Sequence, residues 1–143
     1  MLKTVFAAAA LAAALIASGA AAEEAKSPWP KDAKVYIISP KNGETVSSPV
    51  TVLFGLEGLG VAPAGIEKEK TGHHHLLIDS KLPDNLAMPV PADDHNKHFG
   101  AGQTQVTVPL AAGKHTLQLL MGDAGHVPHN PPVASEVVTV TVK

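Results

Sequence analysis

"ASEVVTVTVK", residues 134–143, is the clearest strand pattern in this sequence. Val138, Val140 and Val142 alternate there with two threonines. Successive side chains of a β-strand point to opposite faces, so this stretch predicts a strand with one apolar face and one polar face. The chain is therefore expected to end on a strand that is half buried.

Five further stretches upstream have the alternation or the β-branched composition of strands. They are KVYIISP (34–40), SPVTVLFGLEGL (48–59), GHHHLLIDS (72–80), TQVTVPL (104–110) and AAGKHTLQLLMGDA (111–124). Turn residues separate them, and no stretch between them has helical periodicity. About six or seven short strands of this kind predict an all-β fold, an antiparallel β-sandwich of immunoglobulin-like type. The paired cysteines of antibody domains are absent.

The N-terminal segment predicts export. Residues 1–22 combine an early cation, Lys3, with an apolar stretch and with small residues at Ala20 and Ala22. These are features of a secretory signal peptide, so we expect cleavage after Ala22 and a periplasmic or secreted protein. No later stretch has the roughly 20 apolar residues needed to span a bilayer. The expected organisation is a signal peptide (1–22), a flexible polar leader (23–34) and a β-sandwich domain (35–143).

The composition of the chain disfavours several classes of partner. There is no cysteine and no arginine, and without Lys3 ten lysines stand against thirteen acidic residues. Nucleic-acid binding normally relies on a basic patch and on arginine, so that class is disfavoured. Few aromatic rings are present to stack on sugars. Without thiolates, a metal site would use nitrogen or oxygen ligands, with Met88 and Met121 as the only sulfurs after residue 22.

Histidine is the enriched residue type, with eight copies, all after residue 22. Three of them form the run His73, His74 and His75 in a predicted strand. Alternation places His74 on the core-facing side with Leu76 and Ile78, and leaves His73 and His75 together on the opposite side. Alternate residues on one face are roughly 6.5–7 Å apart, and two imidazoles at that spacing can converge on an ion with bonds of about 2.0–2.1 Å.

Two loops supply histidines that can complete such a site. His98 lies in a long proline-rich loop, residues 81–103, and His126 lies in a second one, GHVPHNPPV (125–133). We therefore expect the metal ligands to be His73, His75, His98 and His126. Weaker candidates, as ligands or as groups that orient ligands, are Asp79, Gln103, His115, Asp123 and His129. Imidazole ligands without thiolate favour Cu(II) or Zn(II), with an affinity that falls below about pH 6 as the rings protonate.

Other interpretations of the histidines stay open. His74 and His115 have positions typical of buried, hydrogen-bonded structural histidines, and His95 and His129 have those of exposed loop residues. The chain contains no H-E-x-x-H, G-x-S-x-G or P-loop motif, so no catalytic residue is predicted and a binding protein is favoured over an enzyme. The alternative to metal binding is a non-metal interaction or structural module of the cell envelope with an unidentified partner.

Three stretches together resemble a known family. GHHHLLID (72–79), HFGAGQT (98–104) and GKHTLQLLMGDAGHVPHNPPVASEVVTVTV (113–142) are similar to the motifs of a family of small secreted bacterial proteins catalogued as a domain of unknown function. The resemblance runs from Gly72 to Lys143 and implies one exported, β-rich domain without an established activity. The family's recurrent features fall on His73, His75, His98, Gly100, Gln103, Thr104, His115, Asp123, His126 and Pro128.

Overall fold

The computed structural model describes residues 28–143, which form nine β-strands. They are β1 (Lys34–Ser39), β2 (Thr45–Val46), β3 (Val50–Glu57), β4 (Gly60–Val61), β5 (Thr71–Ile78), β6 (Asn96–His98), β7 (Gln105–Val108), β8 (Gly113–Gly122) and β9 (Val138–Val142). No helix occurs within residues 28–143, so the predicted all-β class is confirmed and this part of the chain has no candidate membrane-spanning helix. The predicted signal peptide and residues 23–27 of the predicted leader lie outside the described residues.

The strands form two sheets that pack face to face as a sandwich. The smaller sheet has the order β1-β3-β7, and the larger has the order β2-β9-β8-β5-β4, with β6 also paired to β5. Most neighbours are antiparallel, as predicted, but two short pairs, β2 with β9 and β4 with β5, are parallel. There are more strands than predicted because β2, β4 and β6 are only two or three residues long. Pairings that short have no alternation from which to predict them.

Alternating apolar residues from both sheets fill the space between them. The strongest contributions come from β3, β8 and β9, each of which turns every second side chain inward. Burying one such side chain stabilises the fold by roughly 1.5–3 kcal/mol relative to leaving it exposed. The buried residues of these strands in the main core are Val50, Val52, Phe54, Leu117, Leu119, Met121, Val138, Val140 and Val142.

β5 differs from the other strands because both of its faces are buried. On one face Leu76 lies in the main core, and the ring of His74, on the same side of the strand, packs against Phe54 of that core. On the opposite face Leu77 packs with Val90 and Leu120 in a second, smaller cluster. Val90 belongs to the segment between β5 and β6, so this segment covers the outer face of β5.

Trp29 attaches the segment before β1 to the rest of the domain. Its side chain is 7% exposed, and its Nε1 donates a 2.7 Å hydrogen bond to the carbonyl of Pro128. The indole also meets the ring of His129 edge-on, with 5.8 Å between the ring centroids. Pro128 and His129 belong to the loop that follows β8, so this contact joins the N-terminal end of the described chain to that loop.

Candidate metal centre

Four histidine side chains converge on the outer face of β5. Each can offer one ring nitrogen, and these four nitrogens all lie within 4.8 Å of one another. The residues are His73, His75, His98 and His126, the set that the sequence pattern predicts as ligands. Within residues 28–143 they are the one group of three or more histidine or acidic side chains that is compact enough to hold a metal ion.

The register of the larger sheet brings these residues together. Alternation in β5 places the rings of His73 and His75 on the same face. β6 pairs with one edge of β5 so that His98 stands directly opposite His75. β8 pairs with the other edge so that Gly122 stands opposite His73, and the loop that leaves β8 at this point supplies His126.

Two of the distances between the ring nitrogens are close to those around a single ion. The Nε2 of His73 lies 3.0 Å from the Nε2 of His75 and 3.1 Å from the Nδ1 of His126. Tetrahedral coordination with bonds of about 2.0–2.1 Å places ligand nitrogens about 3.3 Å apart. The ring centroid of His98 is 4.9, 5.1 and 4.4 Å from those of His73, His75 and His126. All four rings therefore surround one small volume.

Burial keeps the inner rings neutral. His73 and His75 are 0% and 1% exposed, His126 is partly buried and His98 is exposed. Burial, and next the charge of His98, lower the pKa of His73 to about 4. Burial, and next the charge of His73, lower the pKa of His75 to about 3, and burial also lowers the pKa of His98. Near pH 7 the inner rings are therefore neutral, which is the state in which imidazole binds a metal.

The remaining nitrogens of the two inner rings have no hydrogen-bond partner within residues 28–143. The Nδ1 atoms of His73 and His75 are buried without a hydrogen-bond partner among the described residues. A buried polar atom left unpaired destabilises a fold by about 1–3 kcal/mol. The Nε2 atoms of the two rings lie within hydrogen-bond distance of each other, at the common centre, and both ring nitrogens of the core residue His74 are unpaired in the described part of the chain as well.

Two glycines leave space for the cluster. A Cβ atom on Gly122 would lie 2.7 Å from the Nε2 of His75 and 3.2 Å from the Cα of His126. A Cβ atom on Gly100 would lie 2.5 Å from the Nε2 of His98. Both approaches are closer than ordinary van der Waals contact, so a larger residue at either position would displace a ring of the cluster.

The weaker candidates of the sequence analysis lie outside the cluster. Asp79 and His115 pair with each other near the end of β5 farthest from His73, with 2.6 Å between Oδ2 and Nδ1. The side chain of Gln103 accepts a hydrogen bond from a backbone N–H of its own turn. Asp123 and His129 also pair with each other, at 2.6 Å, in the loop that carries His126.

His74 faces the main core, as strand alternation predicts. Its side chain is fully buried, and its ring packs against Phe54 with 4.8 Å between the centroids. Burial lowers the pKa of His74 to about 4, against a smaller opposite effect from the backbone of Gln103. The middle residue of the triplet therefore belongs to the core and not to the cluster.

The chain was compared with known protein families. Residues 52–143 match the family described as Domain of unknown function (DUF4399). The chain belongs to this family. The DUF4399 match confirms the resemblance seen in the sequence, and it includes all four residues of the cluster, whereas Trp29 and β1 precede it. No curated protein and no solved structure matches the chain.

The sequence pattern does not reveal which residues of neighbouring strands stand opposite one another. Gly122 is essential to the space around His75, but in the sequence it is an ordinary glycine at the end of a strand. β6 lies inside the predicted long loop, where three residues among several prolines give no alternation to detect. The Asn-Lys-His segment becomes a strand because β5 offers it a free edge, and that pairing places His98 opposite His75.

Proposed function

We propose that this protein binds one divalent transition-metal ion, Cu(II) or Zn(II), through His73, His75, His98 and His126. The observation that carries the proposal is the convergence of four ring nitrogens within 4.8 Å of one another. Two of these rings come from one strand, one from the neighbouring strand and one from a loop. An arrangement that draws on three separate segments requires the folded sandwich, so the site is a product of the fold.

The donor set favours these two ions. Four neutral imidazole nitrogens suit Zn(II), which prefers four-coordinate sites, and Cu(II), which accepts tetragonal nitrogen sites. Mg(II) and Ca(II) prefer oxygen ligands, and no carboxylate belongs to the group of converging side chains among residues 28–143. Cu(I) is favoured by thiolate and thioether ligands, and the four converging side chains contain no sulfur.

Titration of the purified protein with Zn(II) and Cu(II) tests the proposal. We expect one equivalent of ion per chain, with raised resistance to unfolding, because an ion bound only by the folded state adds about 2.7 kcal/mol at a concentration of 100 times the Kd. His98→Ala should weaken binding, because three of the four ligands remain, and should leave the core intact, because His98 is exposed. His73→Ala/His75→Ala removes both strand ligands.

The matched control is His95→Ala. His95 is an exposed histidine three positions from His98, and its Nδ1 lies 2.9 Å from the carbonyl of Ile78, outside the cluster. This variant should take up metal as the wild type does. Equal uptake by the wild type, His98→Ala and the His73/His75 double variant would show that the ion binds elsewhere and would exclude the proposed site.

We further propose that the protein acts outside the cytoplasm. The support is the cleavable signal-peptide pattern of residues 1–22. Periplasmic or secreted protein should begin at Glu23, and N-terminal sequencing of the chain recovered from cell fractions measures this directly. Recovery of the chain in the cytoplasm with its first 22 residues intact would contradict the proposal.

A further inference from the structure

Asp123 organises the loop that presents His126, here called the His126 loop (residues 123–129). Its Oδ1 accepts hydrogen bonds from the backbone N–H groups of Gly125 and Val127, at 2.8 and 2.9 Å. Its own carbonyl accepts from the N–H of His126 at 2.9 Å, and its N–H donates to the carbonyl of Val127 at 3.0 Å. Three successive N–H groups of the loop are therefore bound to one residue.

His126 needs this support because of its backbone conformation. Its φ is 68°, in the left-handed region that residues other than glycine seldom occupy. Such a conformation persists only where the surrounding structure determines it. The carbonyl of His126 accepts a hydrogen bond from the N–H of Val90 at 3.0 Å, so both the N–H and the carbonyl of His126 are hydrogen-bonded. This backbone geometry turns the His126 ring toward His73.

The second carboxylate oxygen of Asp123 is fixed by a separate set of contacts. Its Oδ2 lies 2.6 Å from the Nε2 of His129. The N–H of His129 donates to the carbonyl of Leu86 at 3.0 Å, and its ring meets the edge of Trp29. Trp29 in turn donates to the carbonyl of Pro128. These contacts hold the carboxylate so that its other oxygen stays directed at the loop amides.

We infer that Asp123 is the positioning residue of the proposed metal site. It acts through the backbone of His126 and lies outside the group of converging ring nitrogens. His129 belongs to the same arrangement as the partner that orients the Asp123 carboxylate, which explains how a histidine three residues from a ligand stays out of the cluster. The inference rests on the proposed function.

The test compares two substitutions of Asp123 by competition titration with Zn(II). Asp123→Ala removes both acceptor oxygens, and we expect binding to weaken by about 10–100-fold, as for other groups that orient ligands. Asp123→Asn keeps the Oδ1 acceptor, and its amide can still hydrogen-bond to the ring of His129, so binding should stay within about threefold of the wild type. Asp84→Ala removes one exposed carboxylate and serves as the charge control.

A double-mutant cycle separates positioning from other effects. In a His126→Ala background, Asp123→Ala should have no further effect on Zn(II) affinity, because the ring it positions is gone. A further loss in that background, wild-type affinity in Asp123→Ala, or an equal loss in Asp123→Asn and Asp123→Ala would each overturn the inference.

Metal-free protein provides a readout that does not depend on the proposed function. The amides of Gly125 and Val127 should resist hydrogen exchange in the wild type and in Asp123→Asn, and should exchange rapidly in Asp123→Ala. If the wild type binds no Zn(II), the proposed function fails, and these amides still decide whether Asp123 organises the His126 loop. Equal protection in both variants would show that it does not.

Discussion

Replacing Gly122 with alanine should disable the metal site while the sandwich stays folded. The new Cβ would lie 2.7 Å from the Nε2 of His75 and 3.2 Å from the Cα of His126. Restoring a contact of 3.4 Å requires the ring of His75 to move by about 0.7 Å, whereas metal–ligand distances tolerate only about 0.2 Å. His75 is then lost as a ligand, and the backbone of His126 is pushed away as well.

The expected loss of affinity follows from these two displacements. Disturbing the groups that merely support a ligand weakens a metal site by about 10–100-fold. Gly122→Ala displaces one ligand directly and another through its backbone, so we expect at least about a 100-fold rise in Kd, which corresponds to about 2.8 kcal/mol of binding free energy. The matched control is Gly125→Ala, whose Cβ would meet only the Oδ1 of Asp123, at an ordinary 3.5 Å.

Competition titration with Zn(II) measures both variants against the wild type. Urea unfolding of the metal-free proteins shows whether each variant retains its fold, so that a loss of affinity can be assigned to the site. Gly125→Ala should bind within about threefold of the wild type. A folded Gly122→Ala protein with wild-type affinity would refute the reasoning, because the space around His75 would then not limit binding.

Three further predictions concern other parts of the molecule. His74→Leu should bind metal normally, and the metal-free variant should lose less stability than the wild type at low pH. The His74 pKa falls from 6.5 to about 4 on folding, so the wild type loses about 3 kcal/mol of stability as the pH falls between these values. Urea unfolding of both proteins at pH 7 and pH 4 measures this, and the variant would show no advantage if the His74 ring were solvated. When protonated, His115 can donate from both ring nitrogens, to Asp79 and to a carbonyl, and these contacts raise its pKa. Its contribution, within about 1 kcal/mol, is therefore present below pH 6.5 and lost as the pH rises through the raised value. His115→Gln should destabilise the protein more at pH 6 than at pH 9 in urea unfolding, and an equal effect at both would contradict the pairing. Trp29, the only tryptophan, contacts the His126 loop. Cu(II) should therefore quench the tryptophan fluorescence, and the quenching should reach its end point at one equivalent. Quenching that does not saturate would argue against a nearby site.

Side-chain alternation was sufficient to predict the division of the histidine triplet. His74 packs in the core against Phe54, and His73 and His75 share the opposite face, because the two-residue period of a strand is imposed by the backbone. The all-β class follows from the same period, repeated along the chain. These are local properties, and local patterns predict them well.

Burial of the outer face of β5 could not be predicted in this way. It depends on the segment between β5 and β6, which has many prolines and no alternation, and which places Val90 over Leu77. The positions of His115 and Gly122 show the same limit. Both belong to β8, which is ten residues long, so they lie near opposite ends of the strand. His115 pairs with Asp79, whereas Gly122 stands opposite His73 at the cluster.

The unequal exposure of the four rings has a consequence for how quickly an ion would be exchanged. His73 and His75 are enclosed by the sheet and by the segment above it, whereas His98 is exposed at the end of a three-residue strand. An ion held by all four would gain or lose its first water on the side of His98 and His126, the two rings that are not fully buried. Its residence time would then depend on the two outer ligands, one at the end of a three-residue strand and one in a loop, whereas the buried pair on β5 would contribute mainly to the equilibrium affinity.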